Sequence, residues 1–152
     1  MDVLFLILIC STALILGNEF SILFFIHPSL SRANHLNFLP AIQVFAKLFG
    51  KVMPFWMGGT VLAHLIVLWI TWHWPAAHSL WLLLASLLWI AIVLFSLMGP
   101  VPINDRVKGW DVAKLPPDWE NQRRTWDQLN AIRVVLIVIA FISLLLSYKS
   151  LG

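Results

Sequence analysis

Glu19, His27, Asp127, Asn130 and Arg133 stand in or beside long apolar runs, where an ionisable side chain is costly and normally faces a partner or a wet cavity. A carboxylate, an imidazole and a guanidinium in that setting can form an ion pair, hold a metal or relay a proton. Counted inward from the outer ends of the flanking runs, Glu19 is 15 residues from Leu4 and Arg133 is 15 residues from Tyr148. They fall at one level, so an ion pair between the first and last spans is predicted. His27 is 23 residues from Leu4, and Trp126 and Asp127 are 22 and 21 from Tyr148, which makes a second polar layer. Trp119, Arg123, Trp126, Asn130 and Arg133 follow steps of 4, 3, 4 and 3, a single stripe of one helix. Glu19 and His27 are offset by about 80° and about 12 Å on an ideal helix, so both are expected to line one cavity. Glu19, His27, Asn104, Asp127, Asn130 and Arg133 thereby converge at one end of a bundle. The plainer alternative is that Glu19 and Arg133 only hold helices together, that the tryptophans anchor at the membrane interface, and that His64, His73 and His78 are packed or interfacial.

Other chemistry finds no support in the spacing. There is no phosphate loop, no GxGxxG, no nucleophile elbow and no CxxC. His27 and His35 are eight apart across Pro28, not the i, i+4 spacing that presents two imidazoles to one metal. A metal held by Glu19, His27 and Asp127 stays open as an alternative; the expectation is no metal and no cofactor.

The elements that must position these residues follow from composition. Of 152 residues, 61% are apolar and 11% charged, far from the roughly one-quarter charged of a soluble domain. Disorder and a disulfide scaffold are excluded, since Cys10 is the single cysteine. Several runs reach the ~20 residues that cross a bilayer. The fold expected is all-α: a polytopic membrane four-helix bundle forming one domain over residues 1–152. Its spans are placed at about 3–27, 54–74, 80–98 and 126–148, with polar segments at 28–53 and 99–118. The first run has no basic stretch before it and no A-x-A-like site after it, so it is expected to be a retained helix rather than a signal peptide. Gln43, Lys47 and Lys51 share one helix face, giving an amphipathic extension before the second span, with Pro54 kinking the junction. His73 to Ser79 reads as a tight hairpin. Gly99-Pro100-Val101-Pro102 ends the third span, a polar loop runs from Asn104 to Pro117, and Asp118 is placed as the N-cap of the last helix.

Arg32, Lys47 and Lys51 follow the first span, and Arg106, Lys108, Lys114, Arg123 and Arg124 lie between the third and fourth, against Lys149 alone at the other side. The positive-inside rule then puts both termini outside and both polar segments in the cytoplasm, in a plasma (inner) membrane. A pI near 9.4 is explained by that topology, and no nucleic-acid partner is expected.

Gly17-Asn18-Glu19, His27-Pro28, Gly99-Pro100-Val101-Pro102-Ile103-Asn104-Asp105-Arg106, Asp118-Trp119, Arg124, Trp126-Asp127 and Arg133 resemble the anthrone oxygenase-like family of small four-helix membrane proteins, many of them known only as a domain of unknown function. The resemblance implies a membrane oxidoreductase, a monooxygenase that oxidises a lipophilic aromatic substrate, an anthrone or quinol-like compound, with dioxygen and without a cofactor. It implies His27, Glu19, Asn104 and Arg133 as catalytic residues: His27 or Glu19 as base, Asn104, Arg133 and Asn130 as donors to a developing oxyanion. Trp126, Asp127, Asn130, Arg106, Trp119 and Asn18 are implied in substrate binding, Trp126 by stacking on a flat tricycle. Many relatives carry a His where this chain has Asn130. The alternative class is a non-enzymatic membrane carrier or accessory subunit with a structural Glu-Arg pair.

Overall fold

The computed structural model describes residues 2–32, 35–73 and 75–151. Trp74 of the expected hairpin and the side chain of His35 lie outside the described residues. The backbone runs as α1 (Asp2–Ser21), a π-helical turn (Ile22–Ile26), α2 (His27–Ser31), α3 (His35–Thr71), α4 (Ala77–Met98), α5 (Pro100–Val107) and α6 (Trp119–Lys149). Four stretches, Val3–Leu30, Phe38–Thr71, Ala77–Val107 and Trp119–Lys149, are long and apolar enough to cross a membrane. Helices dominate because hydrocarbon offers no partner for backbone N–H and C=O groups, which an α-helix satisfies within itself. The buried hydroxyls follow the same logic: Thr60, Thr71, Ser86, Ser96 and Ser143 each donate to the carbonyl four residues back, at 2.7–2.9 Å.

The chain is an all-α four-helix membrane bundle. Its interior is layered. Phe5, Leu8, Val67, Leu82, Ala85 and Leu144 fill the end nearest the termini, where Tyr148 and Leu151 also pack. Ile15, Met57, Trp89, Ile92, Ile137 and Ala140 fill the middle. Leu39, Ile103 and Val107 form a smaller cluster at the basic end. The outer faces are apolar as well: Phe25, Phe55, Trp69, Leu87 and Met98 are exposed, a pattern that lipid covers and water does not. The protein is therefore an integral membrane protein.

Three local features differ from the sequence expectation. First, Gly99 to Pro102 does not lead into a loop. Gly99 breaks α4 at φ −108°, ψ −86°, and α5 starts at Pro100, because proline is tolerated in a first helical turn where its missing N–H is not needed. A Cβ at Gly99 would lie 3.2 Å from Leu129 Cδ1 and 3.2 Å from Phe95 O, so glycine allows this joint to press on α6. Second, Asp118 occupies the N-cap position but makes no side-chain cap; its carboxylate instead accepts from Gln122 Nε2 at 2.8 Å. Third, helix one widens into a π turn before His27, whose N–H donates to Ile22 O. Pro28 explains this, since its ring would collide with the carbonyl of Phe24 in a regular helix. The amphipathic extension and the second span form one 37-residue helix that runs through Pro40 and Pro54.

Candidate functional site

The deepest charges are paired. Arg133 Nη2 donates to Glu19 Oε2 at 2.5 Å and to Asn130 Oδ1 at 2.8 Å, so a single guanidinium nitrogen uses both hydrogens. Glu19, Asn130 and Arg133 are all buried. This is the ion pair between first and last spans that the residue count anticipates, and one helix turn on α6 supplies two of its three members.

His27 stands apart from that group. Its ring stacks on Trp126, with centroids 4.4 Å apart and planes at 24°. Its Nδ1 is 2.6 Å from Asp127 Oδ1, close enough for an ion pair with an imidazolium. The nitrogen nevertheless has no aligned hydrogen bond, so the carboxylate lies off the line of its N–H. Phe38 meets the same imidazole edge-on at 6.1 Å, and Arg123 lies over the rings of Phe38 and Trp119.

Two hollows meet here. A cavity of about 390 Å³ is bounded by Glu19, Arg133, Trp126 and Asn104, with Met53, Met57 and Val93 among its walls and Asp105 and Lys108 at its rim. That volume lies within the range of small-molecule sites. A narrow slot of about 70 Å³ is bounded by His27, Phe38, Phe45, Trp110 and Arg123. Ile22, Phe49, Asn104 and Trp126 line both, so Trp126 and Asn104 form the partition. Glu19 and His27 thus line different hollows rather than one. The π turn is the reason: it holds about one residue more per turn than an α-helix, and so carries His27 around the axis from the ideal offset.

Asn104, Trp126, Glu19 and Arg133 come together at the cavity, and Asn130 reaches it through Arg133. Asp127 meets His27 and lines neither hollow. Asn18 is half-buried beside Glu19 in sequence and lines neither hollow, nor does Trp119. Arg106 is exposed and donates to Gln122 Oε1 at 2.7 Å, away from the cavity. Among the described residues no three His, Cys, Asp or Glu side chains gather as a metal site would require, and Glu19 is separated from His27 and Asp127 by the Trp126 partition. Residues that sequence reasoning did not single out include Met53, Met57 and the Lys108–Asp105 pair at 2.7 Å, whose i, i+3 spacing was the available signal. Lys108 Nζ sits 2.9 Å from the place a Gly50 Cβ would take, so its ammonium lies close against the backbone of α3. Gln43 donates to Val107 O at 3.0 Å and Trp110 O at 2.8 Å, tying α3 to the end of α5.

The unsatisfied polar atoms define what the site can bind. Trp126 Nε1 and Arg133 Nε at the cavity, and Asn130 Nδ2 beside Arg133, are buried without a protein partner. All three are N–H donors, and a ligand that satisfied them would present acceptors.

No curated protein and no solved structure matches the chain. The family model described as anthrone oxygenase matches residues 44–143, a stretch that contains Asn104, Trp126, Asn130 and Arg133 and excludes Glu19 and His27. With well over half of its length matched, the chain belongs to the anthrone oxygenase family.

Proposed function

We propose that the protein oxidises a lipophilic aromatic substrate, an anthrone or a quinol-like compound, with dioxygen in the cavity between Glu19, Arg133 and Trp126. The observation that carries this reading is the donor-only set beside a buried carboxylate. A carbonyl oxygen that gains negative charge in the reaction suits Arg133 Nε, Asn130 Nδ2 and Trp126 Nε1, and preorganised donors of this kind stabilise an oxyanion most strongly where water is excluded.

The chemistry starts at the central methylene of an anthrone. Glu19 takes one proton, leaving a carbanion delocalised onto the ring oxygen. That carbanion passes one electron to dioxygen, and the resulting carbon radical and superoxide combine into a carbon-bound peroxide anion, which takes the proton back from Glu19 to become a hydroperoxide. Loss of the second methylene hydrogen as a proton breaks the O–O bond, forming the new ketone and releasing hydroxide, which is protonated to water. In sum, CH₂ and O₂ give C=O and H₂O. The substrate supplies all the electrons, so the route needs no metal, haem or flavin. Glu19 is favoured over His27 as base because it lines the hollow large enough for a tricycle. His27 acts as a positioning residue that holds Trp126 by stacking. Asn130, where many relatives carry His, leaves the base role to Glu19 and orients Arg133 by accepting from it. The basic end of the bundle faces the cytoplasm of a plasma (inner) membrane, with both termini outside.

The test is dioxygen uptake by an anthrone in nanodiscs holding purified protein, measured against empty nanodiscs. Wild type should accelerate uptake, and Glu19→Gln should lose ~10²-fold or more if the carboxylate is the base. Full activity in Glu19→Gln would remove Glu19 from the mechanism. No acceleration by wild type would favour a carrier or accessory subunit in which Glu19 and Arg133 are structural.

A further inference from the structure

A second polar cluster lies one layer nearer the termini than the cavity, with a different chemical character. Thr12, His64 and Trp89 are each 0% exposed. Thr12 follows Leu8 of the outer apolar layer and precedes Ile15 of the middle one; His64 lies between Met57 and Val67 of the same two layers. Thr12 Oγ1, His64 Nε2 and Trp89 Nε1 have no protein partner. Every other buried hydroxyl among the described residues bonds to a backbone carbonyl, including Ser79 to Thr71 O and Ser147 to His78 O. Thr12 is the exception.

The hydrogen-bond character of each orphan is fixed. His64 Nδ1 lies 2.9 Å from Thr60 O, a carbonyl that can only accept, so Nδ1 carries the hydrogen and Nε2 presents a lone pair. Trp89 Nε1 can only donate, and the Thr12 hydroxyl can do either. The rings of His64 and Trp89 are 5.9 Å apart. Helices α1 and α3 are in register beside them, through Ser11 Oγ and Thr60 Oγ1 at 2.9 Å and Trp56 Nε1 donating to Ser11 Oγ at 3.0 Å. Helical side chains lean toward their own N-terminus, and α1 and α3 run antiparallel, so Thr12 and His64 lean toward a shared level along the bundle axis.

We infer that Thr12, His64 and Trp89 form a binding site for one ordered water within the bundle. An anion would meet the lone pair of His64, and a cation would meet the N–H of Trp89. A water accepts from Trp89 Nε1, donates to His64 Nε2 and completes its set with the Thr12 hydroxyl, the roughly three bonds that buried waters make. In a bilayer no bulk solvent can substitute for it, since leaving three polar atoms unpaired in hydrocarbon is costly. The site is separate from the cavity and does not depend on any reaction there.

Solid-state NMR of uniformly ¹⁵N,¹³C-labelled protein in nanodiscs tests this directly. The expected result is a His64 ring protonated at Nδ1 and bare at Nε2, with magnetisation passing from water protons to both His64 and the Trp89 indole N–H. A second measurement uses Thr12→Val, Trp89→Phe and the double variant. If both residues hold the same water, the fall in unfolding midpoint for the double variant is smaller than the sum of the two single losses. A hydrogen on Nε2, or no water contact at either ring in wild type, would overturn the inference, even if a variant failed to fold.

Discussion

Neutralising one partner of the Glu19–Arg133 pair should cost more than neutralising both, and the structure sets how much. Arg133 cannot shed its proton, so Glu19→Leu leaves a buried cation whose Nη2 keeps only its bond to Asn130 Oδ1. Breaking a buried pair in this way costs about 3–5 kcal/mol. The adjoining cavity of about 390 Å³ admits water to the stranded guanidinium, which places the loss toward the lower end of that range. Glu19→Gln keeps an acceptor for Nη2 and should lose less than Glu19→Leu. Arg133→Met should also lose less, because Glu19 can neutralise itself by taking up a proton. The double variant Glu19→Leu/Arg133→Met leaves no charge and should lose well under the sum of the two single losses, with a coupling energy of about 2 kcal/mol or more for groups in direct contact. The assay is reversible unfolding in mixed micelles for the four proteins. Additive losses would show that the two side chains do not stabilise one another, and would leave the short contact without energetic meaning.

Further outcomes follow from the same geometry. With Cys10→Ser as background, Lys114→Cys should react with an impermeant maleimide only from the cytoplasmic side, and Ala77→Cys only from outside; the opposite pattern would invert the topology. Gly99→Ala should destabilise by about 1–3 kcal/mol, because its Cβ must displace Leu129 and the backbone carbonyl of Phe95. Gly58→Ala and Gly59→Ala meet nothing within 4 Å and should be neutral or stabilising by up to about 1 kcal/mol. If His27 acts through the placement of Trp126, on which it stacks, His27→Leu should raise KM for an anthrone more than it lowers kcat; an equal fall in kcat and kcat/KM would instead assign it to the chemical step.

What could be read from the residues alone depended on regular helical geometry. Glu19 and Arg133 were legible as a pair because an α-helix converts residue count into depth, and both lie on uninterrupted stretches. His27 was misplaced relative to Glu19 because the π turn intervenes, and that turn arises from a steric clash of Pro28 which hydropathy does not register. The helix after Gly99 was hidden for a related reason: two prolines in three residues read as a stop, yet proline is also compatible with a first turn. Lys108 could not be placed at the cavity rim from sequence, because its place there is set by a contact with Gly50, 58 residues earlier in the chain.

The polar atoms left over in the interior separate two kinds of site that burial alone would merge. Around Arg133 the orphans are all donors, beside a carboxylate that meets the guanidinium through one oxygen. Around His64 they are a donor, an acceptor and a hydroxyl that serves as either. The first set needs an acceptor-rich guest that can come and go through an open cavity, whereas the second is matched by one small molecule with both capacities and has no need of exchange. A ligand that went from carbonyl to oxyanion, as the proposed reaction requires, would strengthen its bonds to the first set and gain nothing from the second. Under the proposed function, that difference assigns turnover to Glu19 and Arg133 and a resident water to His64, although both clusters are buried in the same four helices.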